Sequence, residues 1–199
     1  MLSETNHFYH KMLTSSLQFM VNGGAFLDNN SLKIKKTGKN ENIEYQKNIR
    51  FRNKKGTPLF MDIFKPKTDP AEKLPVIVHL RCDSFVYGDR KRSRRFAEIL
   101  AEKGYLVFCI DYRPIFEADL INQLKDAAAG IAAVSKRLRE INIDESRIFM
   151  TADPTAGFLA LYSSAMFRSD KLREAIGCKT PGMDFKAVGI SSGFFYMKR

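Results

Sequence analysis

Residues 149–162 read FMTADPTAGFLALY. An apolar run passes through a short turn into small and apolar residues, the pattern of a buried strand entering a helix. A turn in that position can present a nucleophile on a strained backbone, as in the pattern Gly-x-Ser-x-Gly. Here the turn reads Ala152, Asp153, Pro154, Thr155, Ala156, Gly157 and contains no serine. Asp153 and Pro154 suit a plain helix start. The carboxylate can accept from free amide groups, and proline at the first helical position sacrifices no hydrogen bond.

Moving outward, PVIVHL (75–80), YLVFCI (105–110), RIFMTA (147–152) and KAVGIS (186–191) are short unbroken apolar runs. Strands buried on both faces have this composition. Between them, Phe96, Ile99 and Leu100 form one apolar stripe at helical spacing, and Leu120, Leu124, Ala128, Ile131, Val134, Leu138 and Ile141 form a longer one. Both stripes are expected to pack on the sheet. Upstream, IEYQKNIRFR and TPLFMDIFKP alternate with period two around NKKG, which predicts an antiparallel strand pair. The fold expected is α/β: a mostly parallel sheet with helices on both faces, a three-layer sandwich entered through that antiparallel pair. Residues 43–199 form the domain, and residues 1–42, weakly periodic and ending in a polar stretch, form an extension or linker.

With 199 residues, the chain holds one ordinary domain. Cys82, Cys109 and Cys178 are odd in number and widely spaced, which excludes a disulfide framework and a zinc-ligand pattern. No metal or other cofactor is expected, and the setting implied is reduced and cytoplasmic. The first residues make a poor secretory signal, and no run reaches the roughly 18 apolar residues of a membrane span. The formal charge is +11, with basic runs at 33–39, 50–56 and 90–95. Arg90, Lys91, Arg92, Arg94 and Arg95 fall at the start of a predicted helix, where cations oppose the macrodipole and a bound anion would relieve them. No nucleic-acid motif accompanies them, so solvated surface charge is the simpler account and nucleic acid is not the expected partner.

The order of these segments resembles the α/β-hydrolase fold, particularly its esterase/lipase branch related to hormone-sensitive lipase and feruloyl-esterase-like proteins. LPVIVHLRCDSFVYGD stands where that family has a strand, His-Gly-Gly-Gly, an aromatic residue and a Gly-Asp pair; Phe85, Gly88 and Asp89 keep the later part. EKGYLVFCIDYRP is similar to the family's strand ending in Asp-Tyr-Arg, kept as Asp111, Tyr112 and Arg113 and expected to be structural framework. The likeness runs over roughly residues 43–196.

At the catalytic positions the resemblance implies losses. Laid without a gap, Ala152, Asp153 and Pro154 meet the glycine, aspartate and serine of Gly-Asp-Ser-Ala-Gly-Gly. Proline has no nucleophilic side chain, and its ring holds φ near −65°, away from the elbow's strained backbone. A one-residue shift would offer Thr155, at the cost of an insertion and a β-branched residue at positive φ. Arg81, Cys82, Asp83 and Ser84 replace His-Gly-Gly-Gly, leaving none of the glycines whose backbone amides turn toward an oxyanion. Cys82 and Ser84 lack an evident base. The fold's base is a histidine beyond the nucleophile, whereas His7, His10 and His79 all precede it; His79 is expected to be a satisfied core residue.

The expectation is therefore a hydrolase-fold protein of carboxylic-ester hydrolase lineage that has lost catalysis, a shortened relic or a pseudoenzyme. One alternative is an active esterase whose acid and histidine come from another chain. Another is a basic anion- or nucleic-acid-binding module. Because the sequence stops near KAVGIS, that strand is expected to present an open edge, covered by a second copy, a separate polypeptide or the N-terminal segment.

Overall fold

The structure is a computed structural model that describes residues 40–52, 57–81, 90–152, 156–178 and 183–191. Among these residues six strands build one sheet: β1 (Ile43–Arg52), β2 (Leu59–Pro66), β3 (Leu74–Leu80), β4 (Leu106–Ile110), β5 (Ile143–Ala152) and β6 (Ala187–Ile190). Their order is β1-β2-β4-β3-β5-β6. β1 pairs with β2, and β2 with β4, antiparallel; β4, β3, β5 and β6 run parallel. The entry pair predicted from period-two alternation is present, with Leu59, Met61 and Ile63 buried. Its turn, NKKG, lies outside the described residues.

Alternating strand residues feed two cores. Val76, Val78, Leu80, Leu106, Phe108, Ile110 and Met150 face α2 (Leu120–Leu138) and α3 (Ala156–Phe167). Ile77, Val107 and Cys109 face α1 (Arg94–Glu102) on the other side. Each such aliphatic side chain contributes about 1.5–3 kcal/mol through removal from water. This explains why β3 and β4 carry unbroken apolar runs. In α2 the predicted stripe is the buried one: Leu124, Ala128, Ile131, Val134 and Leu138 all lie in the core. Asp119 caps this helix by accepting from Asn122 N at 2.8 Å, and Lys136 and Arg137 close it with favourable charge. A short helix, α4 (Asp170–Ile176), ends at Gly177 with φ +68°, the left-handed conformation that glycine adopts without Cβ strain.

Two expectations need correction. In α1 Leu100 packs against the sheet as expected, but its buried companions are Ala97 and Ala101, whereas Phe96 and Ile99 are about 40% exposed. The small side chains let the helix approach Phe64, Ile77 and Val107 closely, and the large ones are turned to the flank. Likewise KAVGIS is not buried on both faces. Among the described residues β6 has β5 on one side alone, and its Ala187 and Gly189 are exposed. β5 also begins four residues before the predicted run, at Ile143, where it pairs with Leu74 ahead of a register shift.

Candidate active site

The C-terminal ends of β3 and β5 lie side by side. Leu80 pairs with Ala152, so Arg81, the first residue of the predicted oxyanion loop, is carried next to the strand end that opens the predicted elbow. β5 stops at Ala152 and α3 begins at Ala156, both fully buried. The turn between them, Asp153, Pro154 and Thr155, lies outside the described residues. So do Cys82, Asp83, Ser84, Phe85, Gly88, Asp89, His7 and His10.

Arg81 itself is buried, at 1% exposure. Its Nε and Nη2 donate to the Tyr112 carbonyl at 3.2 and 2.8 Å, and its guanidinium lies 4.2 Å from the centre of the Tyr112 ring. Its backbone amide continues the sheet by donating to Ile110 O at 3.3 Å. A glycine-rich loop start would leave amides free to turn; here the side chain ties β3 to the strand beside it.

The Asp-Tyr-Arg segment after β4 is built into the same scaffold. Asp111 Oδ2 accepts from Arg90 Nη1 at 2.7 Å. Tyr112 supplies the platform under Arg81. Arg113 forms a fork on Asp126 of α2, with Nε to Oδ2 at 2.6 Å and Nη2 to Oδ1 at 2.9 Å, and its amide donates to the same carboxylate at 3.2 Å. Arg52 of β1 also pairs with Asp126. These contacts give all three residues the framework role expected of them.

Of the five basic residues considered for anion binding, Arg90 and Arg94 are held by carboxylates of the chain. Both meet Asp62, a fully buried residue of β2: Arg90 Nε lies 3.1 Å from Oδ1, and Arg94 Nε 2.7 Å from Oδ2. Asn48 N donates to Oδ1 at 2.7 Å, and the Asn48 side-chain oxygen accepts from Arg90 Nη2. Asn48 stands at φ +59° where the β1–β2 register shifts, a bulge that turns its amide to the carboxylate. Burial pushes the Asp62 carboxyl up, but the hydrogen bonds from Arg94 and Asn48 and the charges of Arg90 and Arg94 outweigh it, leaving it below its ordinary value. Arg95 pairs with Glu98 at 2.8 Å and lies 3.5 Å from Glu102. Lys91 and Arg92 belong to the single turn of 3₁₀ helix (Arg90–Ser93) ahead of α1. Arg90, Arg94 and Arg95 therefore find their relief in Asp62, Asp111, Glu98 and Glu102.

His79 is a satisfied core residue. It is 1% exposed, with Nδ1 3.0 Å from Thr151 Oγ1 and Nε2 3.2 Å from Ser93 Oγ, and its ring is 5.0 Å from that of Phe96. Burial lowers its pKa to about 4, so the neutral ring is the folded form near neutrality. Cys109, wholly enclosed and near Asp62 and Asp111, has its thiol pushed up by burial and by those charges, which keeps it from being a thiolate.

Sequence reasoning missed Asp62 and Asp126 as anchors. The signal available was a lone acid inside an apolar strand, LFMDIFKP, and another on the buried stripe of α2, LKDAAAGI. A buried charge needs a partner, and the basic runs were the supply.

Known proteins match this arrangement. The BD-FAE family profile matches residues 61–190, well over half of the chain. The probable isoprenylcysteine alpha-carbonyl methylesterase ICMEL1 of Arabidopsis thaliana is 26% identical over 100 residues, covering 50% of this chain and 21% of its own. Its counterpart in Oryza sativa subsp. japonica is 28% identical, with 50% and 23% covered. Esterase B from Lactobacillus rhamnosis superposes with a TM-score of 0.75 at 20% identity, over 90% of this chain and 58% of that one. Est2, an esterase of Thermogutta terrifontis, gives 0.59 at 18% identity over 77% and 54%. This chain thus spans less than a quarter of the length of those plant relatives and somewhat over half that of the esterases. With six strands in hydrolase order and the family profile running from β2 to the end of β6, the chain belongs to the BD-FAE family, on the esterase and lipase side of the α/β-hydrolase fold.

Proposed function

We propose that this protein, of carboxylic-ester hydrolase lineage, has no acyl-transfer activity of its own. The observation that carries this is Pro154 at the position of the family's nucleophilic serine, since proline offers no hydroxyl and no strained elbow. Two features of the surroundings support it. Arg81 opens the loop where the family has glycines, and it ties that loop to Tyr112. His79 has both ring nitrogens engaged by Thr151 and Ser93. Nucleophile and oxyanion donors supply main terms of acyl transfer, so losing both removes it. The same reading assigns residues 43–199 to the hydrolase-like domain and 1–42 to an extension. The test is hydrolysis of a short-chain p-nitrophenyl ester by folded protein, with fluorophosphonate labelling read by intact mass. No turnover and no adduct are expected; activity and labelling that vanish in Thr155→Ala would replace this reading with a shifted elbow.

A second reading is favoured by β6, which among the described residues pairs with β5 alone: another chain pairs along its other edge and contributes the acid and histidine of an active esterase. Self-pairing would appear as a dimer in size-exclusion chromatography with light scattering, and a soluble monomer would count against it.

A further inference from the structure

Among the described residues, large exposed apolar side chains fall into three groups: Phe96 and Ile99 on α1; Ile115, Phe116 and Ile121 around the start of α2; Leu161 and Tyr162 on α3. Their surroundings differ in charge. Glu117 and Asp119 stand beside the second group, and α3 contains no charged residue. α1 sets its pair among cations. Phe96 and Ile99 lie one turn apart, at 40% and 41% exposure, on a helix whose buried side is Ala97 and Ala101. α2, α3 and α4 pack into the other core, so among the described residues α1 is the one α-helix on its face of the sheet.

Lys103 caps α1 one turn beyond Ile99, its amide donating to Ile99 O at 3.3 Å. It is exposed and forms no ion pair among the described residues. Lys47, also exposed, is held beside the helix: its Nζ lies 4.7 Å from the centre of the Tyr45 ring, whose hydroxyl donates to Glu98. Both carboxylates of α1 meet Arg95, Glu98 at 2.8 Å and Glu102 at 3.5 Å, so they do not oppose an approaching anion uncompensated.

Apolar side chains along the outer side of a helix lying on a sheet, with long cationic chains beside them, match an anionic bilayer. The apolar groups enter the boundary between headgroups and acyl chains, and lysine stems reach the anionic headgroups. The formal charge of +11 draws the chain toward such a surface. A second copy docked through this patch would bring like charges together, which disfavours it. We propose that α1 docks this protein on anionic lipid bilayers, with Phe96 and Ile99 entering the headgroup boundary and Lys47 and Lys103 beside anionic headgroups. The proposal is independent of whether the protein hydrolyses esters.

Sedimentation of the full chain with vesicles of phosphatidylcholine containing about one third phosphatidylserine, against vesicles of phosphatidylcholine alone, tests it. Binding to the anionic vesicles, and release at about 0.5 M salt, are expected. Ile99→Ser and Lys103→Gln, both at exposed positions where folding is not at stake, should each weaken binding about threefold to tenfold. The chain has no tryptophan, so Ile99→Trp supplies a single emitter at the patch. Its emission should shift to the blue on anionic vesicles, whereas that of Leu161→Trp, on the opposite side of the sheet, should not. Absence of binding to the anionic vesicles at low salt overturns the proposal, as does unchanged binding in Ile99→Ser or Lys103→Gln. So does a blue shift in Leu161→Trp but not in Ile99→Trp, which would turn another face to the lipid. A dimer in light scattering that Ile99→Ser abolishes would assign the patch to a second copy and overturn it too.

Discussion

Asp62→Asn should destabilise this protein by an amount set by what the carboxylate holds. It accepts from Asn48 N at 2.7 Å, Arg90 Nε at 3.1 Å and Arg94 Nε at 2.7 Å, and it has no exposure to water. Asparagine keeps one acceptor and removes the charge, and it can place an amide N–H against a guanidinium N–H. Breaking a buried ion pair from one side costs about 3–5 kcal/mol. Two features of this site put the cost near the lower end: Arg90 keeps Asp111 at 2.7 Å, and Arg94 is a quarter exposed, so water can meet its charge. About 3 kcal/mol corresponds to a urea midpoint lower by about 1 M or more. Combining Asp62→Leu with Arg90→Met should cost less than the sum of the two single changes, because both remove the same ion pair.

The pH dependence follows from the sign of the shift. The Asp62 carboxyl lies below its unfolded value, about 3.9. The unfolded chain therefore binds its proton first as pH falls, and the stabilisation is complete above that value and lost as pH drops through the folded one. The difference between the parent chain and Asp62→Asn should shrink below about pH 4 and be constant above it. A cost below about 0.5 kcal/mol, the ordinary range of surface changes, or a difference that grows on acidification, would refute the reasoning.

Three further outcomes are expected. The His79 ring, lowered to about 4 by burial, should show no NMR titration near its ordinary value of about 6.5, and stability should fall as pH drops from there toward 4, a fall absent from His79→Gln; titration at the ordinary value would refute the enclosed ring. Gly130→Ala in α2 should cost about 1–3 kcal/mol in urea unfolding despite better helix propensity, because a Cβ there would come within 2.9 Å of Ile110 Cδ1 and 3.3 Å of Phe51 Cζ; unchanged or raised stability would show that both side chains can move aside. Cys109 should resist iodoacetamide in the folded chain and react once urea unfolds it, as peptide mass spectrometry would record; native labelling at the rate of an exposed thiol would contradict its burial.

Much of the fold was legible because periodicity reports directly on which faces are buried. Four unbroken apolar runs and one alternating pair gave the strands, and the long stripe of α2 gave the helix that covers them. Where the reading failed, periodicity was ambiguous. Phe96 and Ile99 have helical spacing, but so do Ala97 and Ala101, and only the fit of the helix on Phe64 and Val107 chose the alanines. KAVGIS has the composition of a central strand and the place of an edge strand, because composition does not count neighbours.

The sequence alone determined the absence of a serine from the strand-to-helix turn and of glycine from residues 81–84, since a missing atom cannot be supplied by folding. Only the tertiary structure decided what the charges do. Arg90 and Arg94 read as a surface run until β2 brings Asp62 beneath them, and Arg113 reads as a loop cation until α2 brings Asp126. Arg81 reads as a damaged loop residue until its buried guanidinium is seen on the Tyr112 carbonyl and ring. Ion pairing and desolvation depend on distance in space, and strands far apart in the chain set those distances.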